Sequence, residues 1–117
     1  MSPVAQAICN VLLSHHRDVC TSHRHRAVIV DRCVITYGEL CRRAGCPDIA
    51  HGVGPHLQEV AEWCSVNGWP PLNSLAVNQE SRMPGDGYDG APGCNLNAWP
   101  TEAEACIVFD GYPEEIQ

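Results

Sequence analysis

Lysine is missing altogether, so the cationic side chains are seven arginines and whatever fraction of six histidines is protonated. Long apolar runs are missing too: none approaches the ~20 residues that a bilayer-spanning helix needs, which excludes a membrane-spanning helix as the organising element. The first helix-like segment lacks the basic start and small-residue cleavage site of a secretion signal, so a cytosolic (cytoplasmic) setting is expected. No serine lies in a G-x-S-x-G setting and no glycine-rich phosphate loop is present, which leaves hydrolase and nucleotide-binding readings without support. The bias that marks disorder, collagen or a coiled coil is absent as well, since 44% of residues are hydrophobic and 18% charged. With 117 residues, one domain over 1–117 with one core is expected, large enough to bury most of its apolar surface without staples.

Cysteine, by contrast, is abundant: eight in this length would suffice for four disulfides. The surroundings argue for thiols instead. Cys9, Cys41, Cys64 and Cys106 sit among helix-type residues, where cysteine serves as a small hydrophobe. Charge is unevenly spread. Residues 1–50 hold six arginines against four acids, a net of +2, while residues 51–117 hold Arg82 against ten acids, a net of −9, within a total of −7. Duplex DNA is gripped largely through neutralised phosphates, so any basic face must come from the first half. The acidic second half suits solubility, a basic protein partner or mimicry of nucleic-acid charge.

Along the chain, Ser2-Pro3 is a helix-start pairing, and Val4, Ile8, Val11 and Leu12 form one stripe of a helix over 3–16. A polar loop over 18–26 and an extended β-branched segment over 27–35 follow. Thr36-Tyr37-Gly38-Glu39 reads as a capping box, in which the Thr36 hydroxyl caps the helix and Glu39 reaches back to the Thr36 amide. That predicts a second helix over about 37–44, stopping at Gly45. Leu57, Val60, Ala61 and Cys64 predict a third helix within 49–67, stopped by Gly68, with a separate short helix before Gly54-Pro55 as the alternative. Pro70-Pro71 leads into a strand over 72–77. The turn residues 83–87 then predict a hairpin or loop over 77–88 that resembles the wing of a winged helix. A loop over 90–97 and a final helix over about 100–109 complete the chain.

In this order the motifs resemble those of the alkylguanine-DNA alkyltransferases and alkyltransferase-like proteins. The DNA-binding domain of that family carries T-Y-G-E-L, then A-G, then A-R-A-V-G, a proline-rich entry to P-C-H-R, and a glycine turn ending G-Y-x-G. The chain has Thr36-Tyr37-Gly38-Glu39-Leu40, Ala44-Gly45, Ala50-His51-Gly52-Val53-Gly54, Pro70-Pro71-Leu72 and Gly87-Tyr88-Asp89-Gly90, covering about residues 34–92. Small bacterial and phage proteins with similar TYGEL and PGDGY segments share the look. The resemblance implies an α+β, winged-helix-like fold: a helix-turn-helix followed by a short β-hairpin wing, with flanking N- and C-terminal helices. It also implies that Tyr37 helps rotate a target nucleotide out of the stack. The family's space-filling arginine corresponds to His51, which is shorter and less charged. The family's acceptor cysteine corresponds to Ala76, with Val77 and Asn78 where the family has histidine and arginine. Without a thiolate there is no nucleophile for alkyl transfer, so a binding module rather than an enzyme is expected. The segment 56–68 is longer than the family's link and acidic at Glu59 and Glu62.

Two Cys/His groupings carry residue types that could hold zinc. Cys41, Cys46, His51 and His56 recur every five residues, but pairs at that spacing lie ~500° apart on a helix, about 140° from a shared face. His15, His16, Cys20, His23 and His25 read as a solvated polar loop. No metal and no small-molecule cofactor is therefore expected. Glu102 and Glu104 read as solvated charges on different helix faces, and Trp63, Trp69, Trp99, Tyr88 and Phe109 as core or rim packing. Two functions stay open: recognition of duplex DNA through Tyr37, Arg42, Arg43, His51 and Tyr88, or binding of a protein partner by the acidic surface, as an accessory or inhibitory factor of a phage or mobile element.

Overall fold

The structure is a computed structural model and describes residues 1–20, 30–85 and 87–116. Ser2 opens the first helix, α1 (Pro3–Val19): its hydroxyl accepts from the Ala5 amide at 3.2 Å, and Pro3 occupies a first-turn position where its missing N–H is not needed. One face of α1 buries Ile8, Leu12 and Leu13 in the centre of the molecule. The helix runs three residues past the expected end, because His15 and His16 are buried rather than solvated. The His15 Nε2 pairs with the Cys33 carbonyl and the His16 Nε2 with the Cys106 carbonyl, each at 2.7 Å. These bonds tie the end of α1 to two distant segments. Cys20 is buried beside them, so the expected polar loop starts later; most of its residues, His23 and His25 included, and residues 27–29 of the expected extended segment lie outside the described residues.

The capping box is half realised. The Thr36 hydroxyl accepts from the Glu39 amide at 3.2 Å and starts α2 (Tyr37–Arg43). The Glu39 carboxylate does not return to the Thr36 amide, however; it accepts from Arg42 Nε at 3.0 Å on the exposed face. A flexible carboxylate next to an arginine one turn away gains two charge-assisted bonds there. Gly45 ends the helix at φ +81°, and the Cys46 amide bonds back to the Cys41 carbonyl at 2.9 Å, a glycine-dependent stop. Next come a 3₁₀ turn over Pro47–Gly52 and helix α3 (Gly54–Val66). Of the two alternatives for this stretch, the split one is adopted, since Pro55 fits the first turn of a helix and not its interior. Gly68, at φ +74°, closes α3.

Residues 72–77 depart most from expectation. A 3₁₀ turn occupies Leu72–Leu75, and only Ala76–Val77 is extended. The whole stretch is buried, packed among α1, α3 and the last helix, so neither of its faces meets water and the apolar alternation that suggested a longer strand has no structural counterpart. Strand β2 (Ala76–Val77) pairs in parallel with β1 (Ile35–Thr36), in the register Ile35 with Ala76 and Thr36 with Val77. The expected hairpin is therefore not the pairing observed. Among the described residues, β2 has a parallel partner 41 positions upstream and no antiparallel return strand. Residues 78–83 fold on themselves through turns instead, with the Asn78 amide bonded to the Met83 carbonyl at 2.8 Å and the Arg82 amide to the Asn78 carbonyl at 2.9 Å. A further 3₁₀ turn (Leu96–Ala98) precedes α4 (Trp99–Val108).

The protein is thus a helical α+β arrangement with a small two-stranded parallel sheet. Its core joins Ile8 and Leu12 of α1, Leu40 of α2, Val60 of α3, Leu72 and Leu75, and Ile107 of α4. All eight cysteines are free thiols, six of them buried. Trp63, Trp69, Phe109 and Tyr112 form a chain of aromatic contacts, edge-on between Trp63 and Trp69 and between Phe109 and Tyr112 and tilted between Trp69 and Phe109, with neighbouring centroids 4.7 to 6.5 Å apart. Among the described residues no helix is long and apolar enough to cross a membrane.

Candidate functional site: a cavity between α3 and the 85–89 turn

A cavity of about 510 Å³ opens between the start of α3 and the turn at 85–89. Tyr37, at the start of α2, supplies one wall. Its hydroxyl accepts from the Gly85 amide at 2.9 Å, and burial pushes the phenol's pKa up. The only hydrogen that this hydroxyl can donate has no acceptor among the described residues. His51 lies exposed at the rim, on the 3₁₀ turn before α3, while Val53 and Leu57 add apolar surface. From β2, Ala76 reaches the cavity with 1% of its surface exposed. Tyr88 supplies another wall; its hydroxyl donates to Glu102 Oε1 at 2.8 Å. Burial first, and the neighbouring carboxylate second, push the Tyr88 phenol well above the ordinary tyrosine range.

Of the residues singled out from the sequence, Tyr37, His51, Ala76 and Tyr88 therefore share one cavity although they span 51 positions. Arg42 and Arg43 do not line it. Both lie on the exposed side of α2, and Arg42 is already paired with Glu39. The outward side of α3 carries Gln58, Glu62 and Ser65, with no cation among them. Glu59 is turned to the start of α1, accepting from the Ser2 amide at 3.0 Å and the Ser2 hydroxyl at 2.9 Å. These bonds hold its carboxyl below the usual range.

Sequence reasoning missed two participants. Asn73 lines the cavity from the buried 3₁₀ turn, and its Nδ2 donates to the Asp89 carbonyl at 3.0 Å. Glu102 was expected to be solvated, yet it is 8% exposed, while Glu104 is exposed as expected. The signal was available: Trp99, Glu102, Ala103, Cys106 and Ile107 recur at three- and four-residue spacing, so Glu102 falls on the inward stripe of α4.

The four candidate zinc ligands do not converge. Cys41 is buried in the core, His51 stands at the cavity rim, and His56 Nδ1 faces Glu59 at 3.6 Å. Among the described residues no group of three or more His, Cys, Asp or Glu is arranged to hold a metal ion. Compared with known proteins, the chain matches no family model, no curated protein and no solved structure.

Proposed function

We propose that this protein is a non-catalytic, alkyltransferase-like binding module, a variant of the winged-helix type in which turns after β2 replace the hairpin wing, and that its cavity receives a nucleobase turned out of duplex DNA. The observation that carries the reading is the convergence of Tyr37, His51, Ala76 and Tyr88 on one cavity, since these positions belong to separate motifs of the resemblance. The chemistry suits a flat heterocycle. Two tyrosine rings and the side chains of Val53 and Leu57 offer apolar contact, and the Tyr37 hydroxyl adds a polar group to the wall. Extruding a base costs a few kcal/mol of stacking and pairing; His51 at the rim is placed to fill part of the vacated space. Ala76 offers no nucleophile, and among the described residues no cysteine lines the cavity, so the base would be held rather than altered. Phosphate contacts would come from Arg43 and from Arg42 on α2.

A duplex with 2-aminopurine at its central position tests this, because that base brightens when unstacked. Emission should rise on binding in low salt and fall back as salt increases. Ala76→Trp, which fills the cavity, should abolish the rise, and Arg43→Ala should weaken binding to any sequence and reduce the salt slope by about one.

A second reading has one specific observation in its favour: Val66 is 87% exposed at the end of α3, near Glu62. An apolar residue beside acids on an outward helix face suits a basic protein partner, as in an accessory or inhibitory factor of a phage or mobile element. Absence of any duplex binding at low salt would favour it.

A further inference from the structure

The cavity wall formed by Tyr88 and the residues after it is held from behind. There α4 presents Glu102, and among the described residues no arginine or histidine is paired with it. An uncompensated carboxylate is costly to bury, and such a group is tolerated when its oxygens find hydrogen-bond donors. Here both oxygens are occupied: Oε1 accepts from the Tyr88 hydroxyl and Oε2 from the Ala91 amide, each at 2.8 Å. Gly90 lies between these two donors, and a methyl group there would stand 2.6 Å from Tyr88 Oη and 2.7 Å from Glu102 Cδ. The glycine thus allows the backbone to pass against the carboxylate, and the carboxylate clamps the segment on either side of it. Asp89, which lines the cavity, also borders with Gly90 a second depression of about 230 Å³ beside Glu62 and Val66. Without the clamp, the two depressions would be divided by an irregular segment that lacks strand or helix bonds.

We infer that Glu102 is a positioning residue: by bonding Tyr88 Oη and the Ala91 amide it holds Tyr88 and Asp89, which line the cavity opposite Tyr37 and Ala76, in the place that admits a flat base, and so selects ligands that it does not touch. The inference rests on the reading of the cavity as a base receptor. Glu102 acts by fixing the Tyr88 ring. The phenol donates to an acceptor that cannot donate back, so the ring has one hydrogen-bonded orientation rather than two. Glutamine in its place would offer one acceptor to two donors and turn an amide N–H₂ toward one of them.

The test uses the full chain and the 2-aminopurine duplex. Glu102→Gln and Tyr88→Phe should each weaken binding about tenfold without changing the salt slope, because phosphate contacts are untouched. The double variant should bind within about twofold of the weaker single variant, since both remove one device. Fully additive losses, near a hundredfold, would overturn the inference, as would unaltered binding by Glu102→Gln. Should Glu102→Gln fail to fold, Glu102→Asp takes its place; it keeps the carboxylate but withdraws it by one methylene, and the same non-additivity with Tyr88→Phe is expected. A second readout needs no ligand. With tyrosine labelled at Cζ, three resonances are expected, from Tyr37, Tyr88 and Tyr112, and Glu102→Gln should move that of Tyr88 alone. If the wild-type protein binds no duplex, the base-receptor reading fails by itself, and a stationary Tyr88 resonance is the result that removes the positioning role.

Discussion

Replacing Gly90 with alanine probes the buried carboxylate without altering any polar group. The Gly90 backbone is not in the left-handed region, so alanine meets no conformational objection and would gain about 0.4–1 kcal/mol by restricting the unfolded chain. Against this stands the new methyl, 2.6 Å from Tyr88 Oη and 2.7 Å from Glu102 Cδ, which must separate at least one of the two donors from the carboxylate. A hydrogen bond to a charged group contributes about 1.5–3 kcal/mol. The net expectation is therefore a loss of about 1–2 kcal/mol, or roughly 4–8 °C in midpoint for a domain of this size. Urea unfolding followed by tryptophan fluorescence measures it, since Trp99 is buried on the same helix as Glu102. Gly87→Ala serves as the control: its methyl would meet nothing within 4 Å, so it should stay within about 0.5 kcal/mol of wild type. In a Glu102→Ala background the cost of Gly90→Ala should shrink, because the carboxylate contact is gone and only the Tyr88 hydroxyl, released from its acceptor, has to move aside. A Gly90→Ala protein as stable as the control would refute the account of a rigid clamp behind the cavity.

Other consequences can be checked independently. Burial lowers the His15 pKa below its ordinary value, so the unfolded chain takes up a proton that the folded one resists. Stability should be complete above about pH 6.5 and decline as pH falls from there toward the folded-state value; urea midpoints at pH 7.5 and 5.5 should show the decline, and His15→Gln should flatten it. Burial pushes the Cys9 and Cys106 thiols up to about 12 and Cys64 up to about 11, which leaves them unreactive. A thiol reagent should therefore modify at most Cys46 and Cys94, the two half-buried cysteines, in the native protein and all eight in denaturant. Arg82 has φ +58° and binds Asp31 through Nε at 3.0 Å and Nη2 at 2.8 Å. Arg82→Ala keeps the strained backbone and loses both bonds, so it should cost about 1 kcal/mol, while Arg82→Gly, freed of the strain, should be closer to neutral in the same unfolding assay.

Much of the site was visible in the chain because its parts are locally encoded. Thr36 caps α2 by a bond three residues long, Gly45 and Gly68 stop helices by conformations that other residues avoid, and Leu57, Val60, Ala61 and Cys64 mark one side of α3 by spacing alone. Tyr37, His51, Ala76 and Tyr88 were found by motif order. Their proximity was not derivable, since nothing in residues 36–40 states how far they lie from residues 85–88. Asn73 was missed because a buried 3₁₀ turn has no short-range signature distinct from a strand entry. Glu102 is hard to read because a carboxylate ordinarily faces water, whereas its place on the inward α4 stripe points the other way.

Taken by itself, the sequence determined where helices start and stop, which faces are apolar, and that Ala76 brings no thiol to its position; each depends on residues within a turn or two of one another. Only the tertiary structure decided that β2 pairs with β1 in parallel rather than with its own neighbours, that 72–75 curls instead of extending, and that a carboxylate is sheltered behind Tyr88. Those outcomes depend on which long-range surfaces meet. Burial on every side removes the alternation by which a strand is recognised, and a buried acid becomes tolerable only when two donors from a distant loop arrive to satisfy it.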